Sequence, residues 1–597
     1  MPIIYLDIET DNSEGFNGLD FFRGRIVTIQ LLLPNGKVII LKDPNQVKLD
    51  EIKDILESNL IIAHNLHFDA KFLKQQYGIT LKNVYDTQIA EIVLSGGKYV
   101  GKRDVVGLKD LVYRYCGKKM DKDEQTGFMY GVPLTTAQRE YAANDLRYLP
   151  EIFKQQQAKI KNKRLETVIN IEMGAIPALV WLELSGINVD LEKLELFRIN
   201  AVKARDAART TLFELLGTNT INLNSPIQLI KALNAVGLPV TSTKKEELAK
   251  FDHPVLDALE EFKKSEKLLN TFIEKMTGFI NPATGRVHAD YFQIGAVTGR
   301  FSCRNPNLQQ QPSRTHKNWK EIFVAGEGKE TVTADYSQVE LRIVGQAAKD
   351  QKYIEAYNTE GVDLHIRTAA ALFGVPEDKV SKTQRSMAKS VNFGLNYGMW
   401  ANGLVKRLKA DANVNVTPEE AQIYAEGFQK MYPDVTAHLD KTSKEGLRNL
   451  SVRTMAGRLI EFEKPSITLE RQMRDVREKY KKTHKTEMPY SDEYYIKSDM
   501  LRGIKGSIKR QSKNYPIQGF CADLVKIAMG NIFLILEPLG VKFIATVHDE
   551  LVFECDKSQT AFVMETVERE MSAAGTSYFP DIPCKVEVFK GDYWHKD

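Results

Sequence analysis

Over the first 165 residues, short apolar runs alternate with amphipathic stretches. Ile3 to Leu6, Ile26 to Leu33, Val38 to Leu41 and Leu60 to Ala63 have the length and β-branched content of strands, and helical periodicity fills the gaps. This is an α/β pattern. A charged helix is predicted from about Pro150 to Lys163, leading out of that unit. From Glu172 to Leu215 and from Pro254 to Met276 apolar positions again recur with helical spacing. Between these two stretches, Asn222-Leu-Asn-Ser-Pro226 and Thr241-Ser-Thr-Lys-Lys245 predict loops; Lys244 and Lys245 either meet phosphate or only add solubilising charge. Further on, Thr331 to Ala334 and Phe543 to Val547 predict strands that close on acids, Asp335 in one case and His548-Asp549-Glu550 in the other.

Acids at the ends of two strands predict chemistry. Offered by adjacent strands, Asp335 and Asp549 would suit two divalent cations. Magnesium takes oxygen ligands and shares its shell with substrate phosphates, and two such ions about 3.5–4 Å apart serve both oxygens of an in-line displacement. Between them in the chain, Arg385, Lys389, Phe393 and Tyr397 recur every fourth residue, so a helix would stack them on one stripe. Ser381 and Gln384 have the spacing of a capping box, which starts that helix at Ser381 and turns its positive end toward the cations. Arg385 can fork onto phosphate oxygens, and Lys389 can donate a proton to a pyrophosphate leaving group. Taken alone, these two cations would more often be a solvated helix face.

A second set of acids lies near the amino terminus. Asp7 and Glu9 follow the first apolar run two residues apart, so a strand would place both on one face. Asp69 and Asp145 bring the set to four, and Tyr141, four residues before Asp145, would share its helical face and could orient an attacking water.

At this point the chain resembles a known family. The segments around Asp335, from Arg385 to Gly398, and around Asp549 look like motifs A, B and C of the family A DNA polymerases. Thr298-Gly-Arg300-Phe-Ser302, Asp363-Leu-His365 and Arg510-x-x-x-Asn514-Tyr-Pro-Ile-Gln518-Gly519 extend the match. The amino-terminal acids resemble the proofreading 3′–5′ exonuclease of the same family, a DEDDy-type, ribonuclease H-like fold. The resemblance implies a multidomain α/β protein: an exonuclease over residues 1–165, then a right hand. Its expected parts are mainly thumb at 166–290, palm at 291–350, fingers at 351–509 and palm again at 510–597.

Carried over position by position, the resemblance makes Asp335, the Tyr336 backbone carbonyl and Asp549 metal ligands, with Glu550 assisting. Glu340 becomes a steric gate against a 2′-hydroxyl, a glutamate that single-subunit RNA polymerases lack. His365, Arg385 and Lys389 would hold a deoxynucleoside triphosphate. Phe393 and Tyr397 would face its sugar and base, and phenylalanine at 393 resembles members that reject dideoxynucleotides. Arg300, Arg510, Asn514, Gln518 and His548 would read the minor groove, whose purine N3 and pyrimidine O2 acceptors occur in every correct pair. The alternative for Asn514 is burial in a hydrogen-bonded core. Asp7, Glu9, Asp69 and Asp145 would bind the exonuclease metals, with Tyr141 beside them. Two magnesium ions are expected at each site, with manganese as a substitute, and the expected partners are primer-template DNA and deoxynucleoside triphosphates. Two other readings stay open: a nuclease whose second half only grips duplex, and an enzyme that also copies RNA.

Composition changes this picture little. The chain has 597 residues, enough for three or four domains, and a net charge of only +4, so nucleic-acid binding has to rest on local clusters. Cys116, Cys303, Cys521, Cys555 and Cys584 are scattered without paired spacing, which argues against a disulfide framework or a zinc module. The start runs straight into a strand and no 18-residue apolar run appears, so no signal or transit peptide, no membrane and a cytoplasmic monomer are expected. A 5′-nuclease domain is not expected either.

One departure from the family stands out. After Gly457-Arg458 roughly three dozen extra residues intervene, at about 464–505. They carry Arg471, Arg474, Arg477, Lys479, Lys481, Lys482 and Lys485, then Tyr490, Tyr494 and Tyr495. Basic residues interleaved with aromatics suit a groove for single-stranded nucleic acid. The alternative is a solvated helical hairpin on the fingers.

Overall fold

The computed structural model describes residues 1–11, 17–120 and 127–596. Strands β1 (Ile3–Thr10), β2 (Ile26–Leu32), β3 (Val38–Lys42), β4 (Leu60–Ala63) and β5 (Val84–Asp86) form one sheet in the order β3-β2-β1-β4-β5. The β3-β2-β1 pairings are antiparallel and the β1-β4-β5 pairings parallel, giving a mixed sheet. β1 is central and runs past its apolar start. Ile4, Leu6 and Ile8 alternate into the core, which leaves Asp7 and Glu9 together on the opposite face. Helix α1 (Leu66–Tyr77) carries Asp69, and α2 (Thr136–Arg147), opened by a Thr135/Gln138 capping box, carries Tyr141 and Asp145.

Helix α3 (Glu166–Ser185) is apolar on all sides because it serves two cores. Val168, Ile169, Met173, Ile176 and Val180 pack with the first sheet, whereas Ala178, Leu179, Trp181 and Leu182 pack with the second half of the protein. It is long and apolar enough to cross a membrane, yet 78% of its apolar stretch is buried inside the protein, as befits a core helix. The single helical span expected from Glu172 to Leu215 is broken. Gly186, at φ 58, turns the chain, and Asp190 caps a new helix, α4 (Leu191–Leu216), by accepting from the Lys193 amide. Helix α5 (Pro254–Lys267) packs on α4, and Leu212, Leu229, Leu233, Leu259 and Phe262 give this region its own small core.

The second sheet contains β6 (Lys329–Tyr336), β7 (Lys542–Val547), β8 (Glu550–Asp556) and β9 (Val586–Gly591), all antiparallel, in the order β7-β8-β6-β9. The strands expected to be neighbours, β6 and β7, are separated by β8. The β7–β8 turn nevertheless delivers Asp549 to β6, because Glu550 opens β8 directly across from Asp335. Helices α6 (Val339–Ala348), α7 (Leu364–Phe373) and α8 (Lys382–Asn396) follow β6 in sequence. The extra residues form α9 (Pro465–His484) and the first turns of α10 (Tyr490–Leu536), a single 47-residue helix. The boundary expected at 509/510 falls inside α10. Gly530 of α10 lies against Gly174 of α3, where a Cβ would come within 2.9 Å of the Gly174 carbonyl oxygen, so the close crossing of these helices depends on glycine. The five cysteines are free thiols.

Candidate active sites

The first sheet gathers the amino-terminal acids. Carboxylate oxygens of Asp7, Glu9 and Asp145 lie within 4.8 Å of one another, with Glu9 and Asp145 buried. Asp69 completes the set from α1, and its Oδ1 accepts the Ile8 amide at 3.1 Å, midway between Asp7 and Glu9 on β1. Burial pushes the Asp69 carboxyl well above its ordinary range. Tyr141 stands over the cluster. Burial and the charges of Asp145, Glu9 and Asp7 raise its phenol far above normal, so the hydroxyl keeps its proton and can donate or accept. Asp7, Glu9 and Asp145 thus form one cluster, with Asp69 held on the intervening Ile8 amide and Tyr141 in the field of all three.

The second site sits at the edge shared by β6 and the β7–β8 turn. Asp335 is 6% exposed and Glu550 5%. The Tyr336 amide donates to the Asp549 carbonyl at 3.4 Å, which binds the turn to the end of β6. His548 makes that turn in a left-handed conformation, φ 58. Burial first, then the facing charge of Asp335, lift the Asp549 carboxyl to about 7. Burial also raises Asp335, against the pull of Lys596, whose Nζ is 2.6 Å from Oδ2. The other oxygen, Asp335 Oδ1, is buried and has no hydrogen-bond partner among the described residues. Desolvated carboxylates with acidic neighbours and a buried oxygen left over fit hard divalent cations.

That arrangement has a pH signature. An acid near 7 when folded and about 3.9 when unfolded binds its proton more tightly in the native protein. Its stabilising contribution is complete below about pH 4 and is lost as pH rises to 7. A cation offsets that loss. Millimolar magnesium is therefore expected to raise the unfolding midpoint more at about pH 8 than at about pH 5.5, and Asp549→Ala to shrink the difference. Scanning fluorimetry checks this; an equal magnesium effect at both pH values would contradict it.

The residues expected to face the nucleotide lie on α7 and α8, which pack on one another. Ser381 and Gln384 form the expected capping box, and α8 ends with Tyr397 as its cap residue. Met387, Ala388, Val391 and Leu395 are buried, so Arg385, Lys389, Phe393 and Tyr397 occupy the stripe that faces outward. Arg385 is held by Asp363, Nη2 to Oδ2 at 2.6 Å. His365 is 1% exposed, meets Asn392 Nδ2 through Nδ1 at 3.0 Å, and is pushed down to about 4 by burial, so it is neutral near pH 7. The Phe393 ring lies 5.9 Å from His365 and 6.3 Å from Tyr397. Glu340 accepts from Arg300 Nη2 at 2.5 Å. Along α10, Gln518, Asn514 and Arg510 follow at intervals of four. Asn514 Oδ1 is buried with no partner among the described residues, which counts against a satisfied core role for that side chain.

Sequence reasoning missed several supports. Lys596 on Asp335, and Trp594 Nε1 and Lys320 on the Glu550 carboxylate, come from distant segments with no local signal. Asp363 lay in a recognised segment, but its pairing with Arg385 did not follow from spacing.

Paired acids at a strand edge, together with a separate acidic cluster on a mixed sheet, suit a nucleotidyl-transferring enzyme fused to a metal-dependent nuclease. Residues 192–596 match the family model for DNA polymerase family A and residues 1–161 the model for 3′–5′ exonuclease. The chain belongs to DNA polymerase family A and is a DNA polymerase with a 3′–5′ exonuclease domain preceding the polymerase domain. It is 30% identical to DNA polymerase I of Aquifex aeolicus, an alignment covering 100% of this chain and 96% of that one. It is 31% identical to DNA polymerase I of Pseudomonas aeruginosa over 92% of this chain and to the thermostable DNA polymerase I of Thermus aquaticus over 71%. The matches span only 59% and 48% of those two longer relatives. Among solved structures, the POL domain of Pol1 from M. smegmatis, in complex with DNA primer-template and dNTP, shares the fold with a TM-score of 0.79 at 24% identity, covering 99% of this chain and 95% of that one.

Proposed function

We propose that Asp335 and Asp549 direct primer extension and that Asp7, Glu9, Asp69 and Asp145 direct removal of mispaired ends, on primer-template DNA with deoxynucleoside triphosphates as substrates. The observation that carries this reading is the register pairing of Asp335 with Glu550, which sets Asp549 beside Asp335 in a desolvated pocket. Asp335, Asp549 and the Tyr336 carbonyl would hold two magnesium ions, with manganese as a substitute, and Asp7, Glu9, Asp69 and Asp145 a second pair. Bound there, the metals supply Lewis acidity to the primer hydroxyl, the triphosphate and the hydrolytic water. Glu550, held by Trp594 and Lys320, keeps the strand edge in place.

Arg385 and Lys389 bind the triphosphate on the exposed stripe of α8, and the Lys389 ammonium donates a proton to departing pyrophosphate. Arg385 exchanges its pairing with Asp363 for phosphate oxygens. His365, neutral and fixed by Asn392, donates a hydrogen bond without adding charge. Phe393 covers the sugar, and Tyr397 stacks by the templating base. Arg300, Arg510, Asn514, Gln518 and His548 hold minor-groove acceptors, so a mispaired terminus is gripped less well and frays toward the second centre. There Tyr141 orients water against the terminal phosphodiester. The parts of the hand are proposed as thumb at 166–290, palm at 291–350 and 510–597, and fingers between, in a monomeric cytoplasmic enzyme.

One labelled primer tests both centres, since extension and shortening are read on the same gel. Glu340 closes the sugar pocket and is braced by Arg300, so Glu340→Ala is expected to raise ribonucleotide incorporation relative to deoxyribonucleotide by about 10²-fold or more. Single-nucleotide kinetics with both substrates measure it; an unchanged ratio would remove Glu340 from the gate role.

A further inference from the structure

We propose that the outer part of α10, with the hairpin it forms with α9, binds the single-stranded template strand ahead of the polymerase site. Bases would stack on Tyr490, Tyr494 and Tyr495, and phosphates would lie along Arg502, Lys505 and Lys509. This rests on the assignment of primer extension to the Asp335 and Asp549 centre.

Continuity is the first support. α10 runs unbroken from the buried half of the polymerase core to the hairpin tip. At Gly519 it lies against Thr298 and Thr454, beside the turn that carries Arg300, and two turns earlier Arg510 lies against Gly398, next to Tyr397 at the end of α8. Moving toward its amino terminus, the helix therefore passes from the primer side to the templating-base side. It then continues for twenty more residues, about 30 Å at 1.5 Å per residue. A template strand arriving at Tyr397 has this rod beside it.

Charge is the second. Residues 464–505 hold eleven Lys and Arg against seven Asp and Glu, a net +4 that equals the net charge of the whole chain. Within that excess the two helices differ. On α9, Arg471 pairs with Glu463, Arg477 with Glu493 and Lys481 with Glu487, so these cations largely fasten the hairpin. On α10 no acid occurs between Asp499 and Asp523, and Arg502, Lys505, Lys509 and Lys513 fall on one face at spacings of three, four and four. Lys513 is paired with Asp440, whereas Lys505 and Lys509 are exposed and have no ion-pair partner among the described residues. Arg502 lies 3.9 Å from Asp499 with both side chains exposed, so Lys505 and Lys509 are the uncompensated cations of this face, and such a pair suits a phosphate backbone.

Exposed aromatic rings are the third. Tyr490, Tyr494 and Tyr495 are 84%, 61% and 73% exposed, with the last two rings 5.8 Å apart. Among the described residues the hairpin's apolar anchor lies at its base, where Ile504 and Ile508 pack with Val452, Ile460 and Phe462, and the tyrosines take no part in that core. Helices that merely decorate a surface are stabilised by Ala, Glu, Lys and Leu, whereas three uncovered phenols beside free cations form a sequence-tolerant stacking platform.

The test uses the full chain with primer-templates whose 5′ template overhang is about 2 or about 20 nucleotides, read by fluorescence anisotropy. The wild type is expected to bind the long overhang about tenfold tighter, since each stacked base contributes that order of affinity. The Tyr490→Ala/Tyr494→Ala/Tyr495→Ala variant is expected to lose that gain while keeping its affinity for the short overhang. Independently, Lys505→Ala/Lys509→Ala is expected to lower the salt slope on the long overhang by about 1.4, for two single-strand phosphate contacts. These side chains are exposed, and unfolding midpoints equal to wild type establish that both variants fold. A wild type indifferent to overhang length, variants that keep the gain, equal weakening on both overhangs, or a loss seen only when a displaced downstream strand is present would each overturn the inference. Extension of the short-overhang primer with magnesium reports separately on the polymerase assignment: its absence in the wild type sinks that assignment, whereas its persistence in the variants isolates the hairpin.

Discussion

Asp549→Ala is expected to lower primer extension by about 10³-fold or more while 3′–5′ shortening of the same primer continues. The replaced carboxylate is one of two acids facing each other in a desolvated pocket, and Lys596, already beside Asp335, cannot take over as a ligand because an ammonium group offers no lone pair. At about 1.4 kcal/mol per decade, a 10³-fold loss corresponds to about 4 kcal/mol of transition-state stabilisation, a magnitude in keeping with removing one electrostatic element of a preorganised site. Asp7→Ala should do the reverse, since Asp7 belongs to a cluster on the other sheet. Extension and shortening timed on one labelled primer decide the matter. If either variant lost both activities, the two centres would not be separate.

The second large effect concerns stability. Arg458, Glu172, Asp523 and Lys526 form a network in which every side chain is buried. Arg458 Nη2 lies 2.5 Å from Asp523 Oδ1 and 2.6 Å from Glu172 Oε1, and Lys526 Nζ lies 2.8 Å from Glu172 Oε1. Lys526 also donates to the Gly299 carbonyl at 2.7 Å, and a Cβ on Gly299 would sit 2.8 Å from the Arg458 guanidinium. Two cations and two acids thus close over one another beneath the turn that aims Arg300. Because removing one member leaves an uncompensated buried charge, Arg458→Met is expected to cost about 3–5 kcal/mol. The double variant Arg458→Met/Asp523→Leu should cost less than the sum of its parts, since the orphaned charge leaves with its partner. All four tryptophans lie beyond residue 180, so the urea transition followed by tryptophan fluorescence reports on the polymerase half. A midpoint for Arg458→Met equal to wild type would show that the network contributes nothing.

Local pattern carried much of what could be read before folding. The strand at Leu60 to Ala63 appears with the expected bounds, and the capping box at Ser381 starts α8 where its spacing requires. Both are decided by neighbours within a few residues: side-chain alternation in a strand, and reciprocal bonds between a cap residue and the third residue of a helix. The break between α3 and α4 was less visible, because helical periodicity resumes after Gly186 and hides the turn. The position of β8 between β6 and β7 was not legible at all. An apolar run says that a strand is buried but not which strand lies beside it.

The sequence by itself determined the chemistry available: which acids, cations and rings exist, and which share a strand or helix face, since backbone periods of 2 and 3.6 residues set those faces locally. Only the tertiary structure decided which of these groups meet. It set Glu550 across from Asp335, Lys596 on Asp335, Trp594 on Glu550, and Arg458 between Glu172 and Asp523, contacts that close loops of dozens to hundreds of residues. Pairings at such separation are chosen by burial and charge compensation across the whole core, a property of the packed molecule that no short stretch of chain contains.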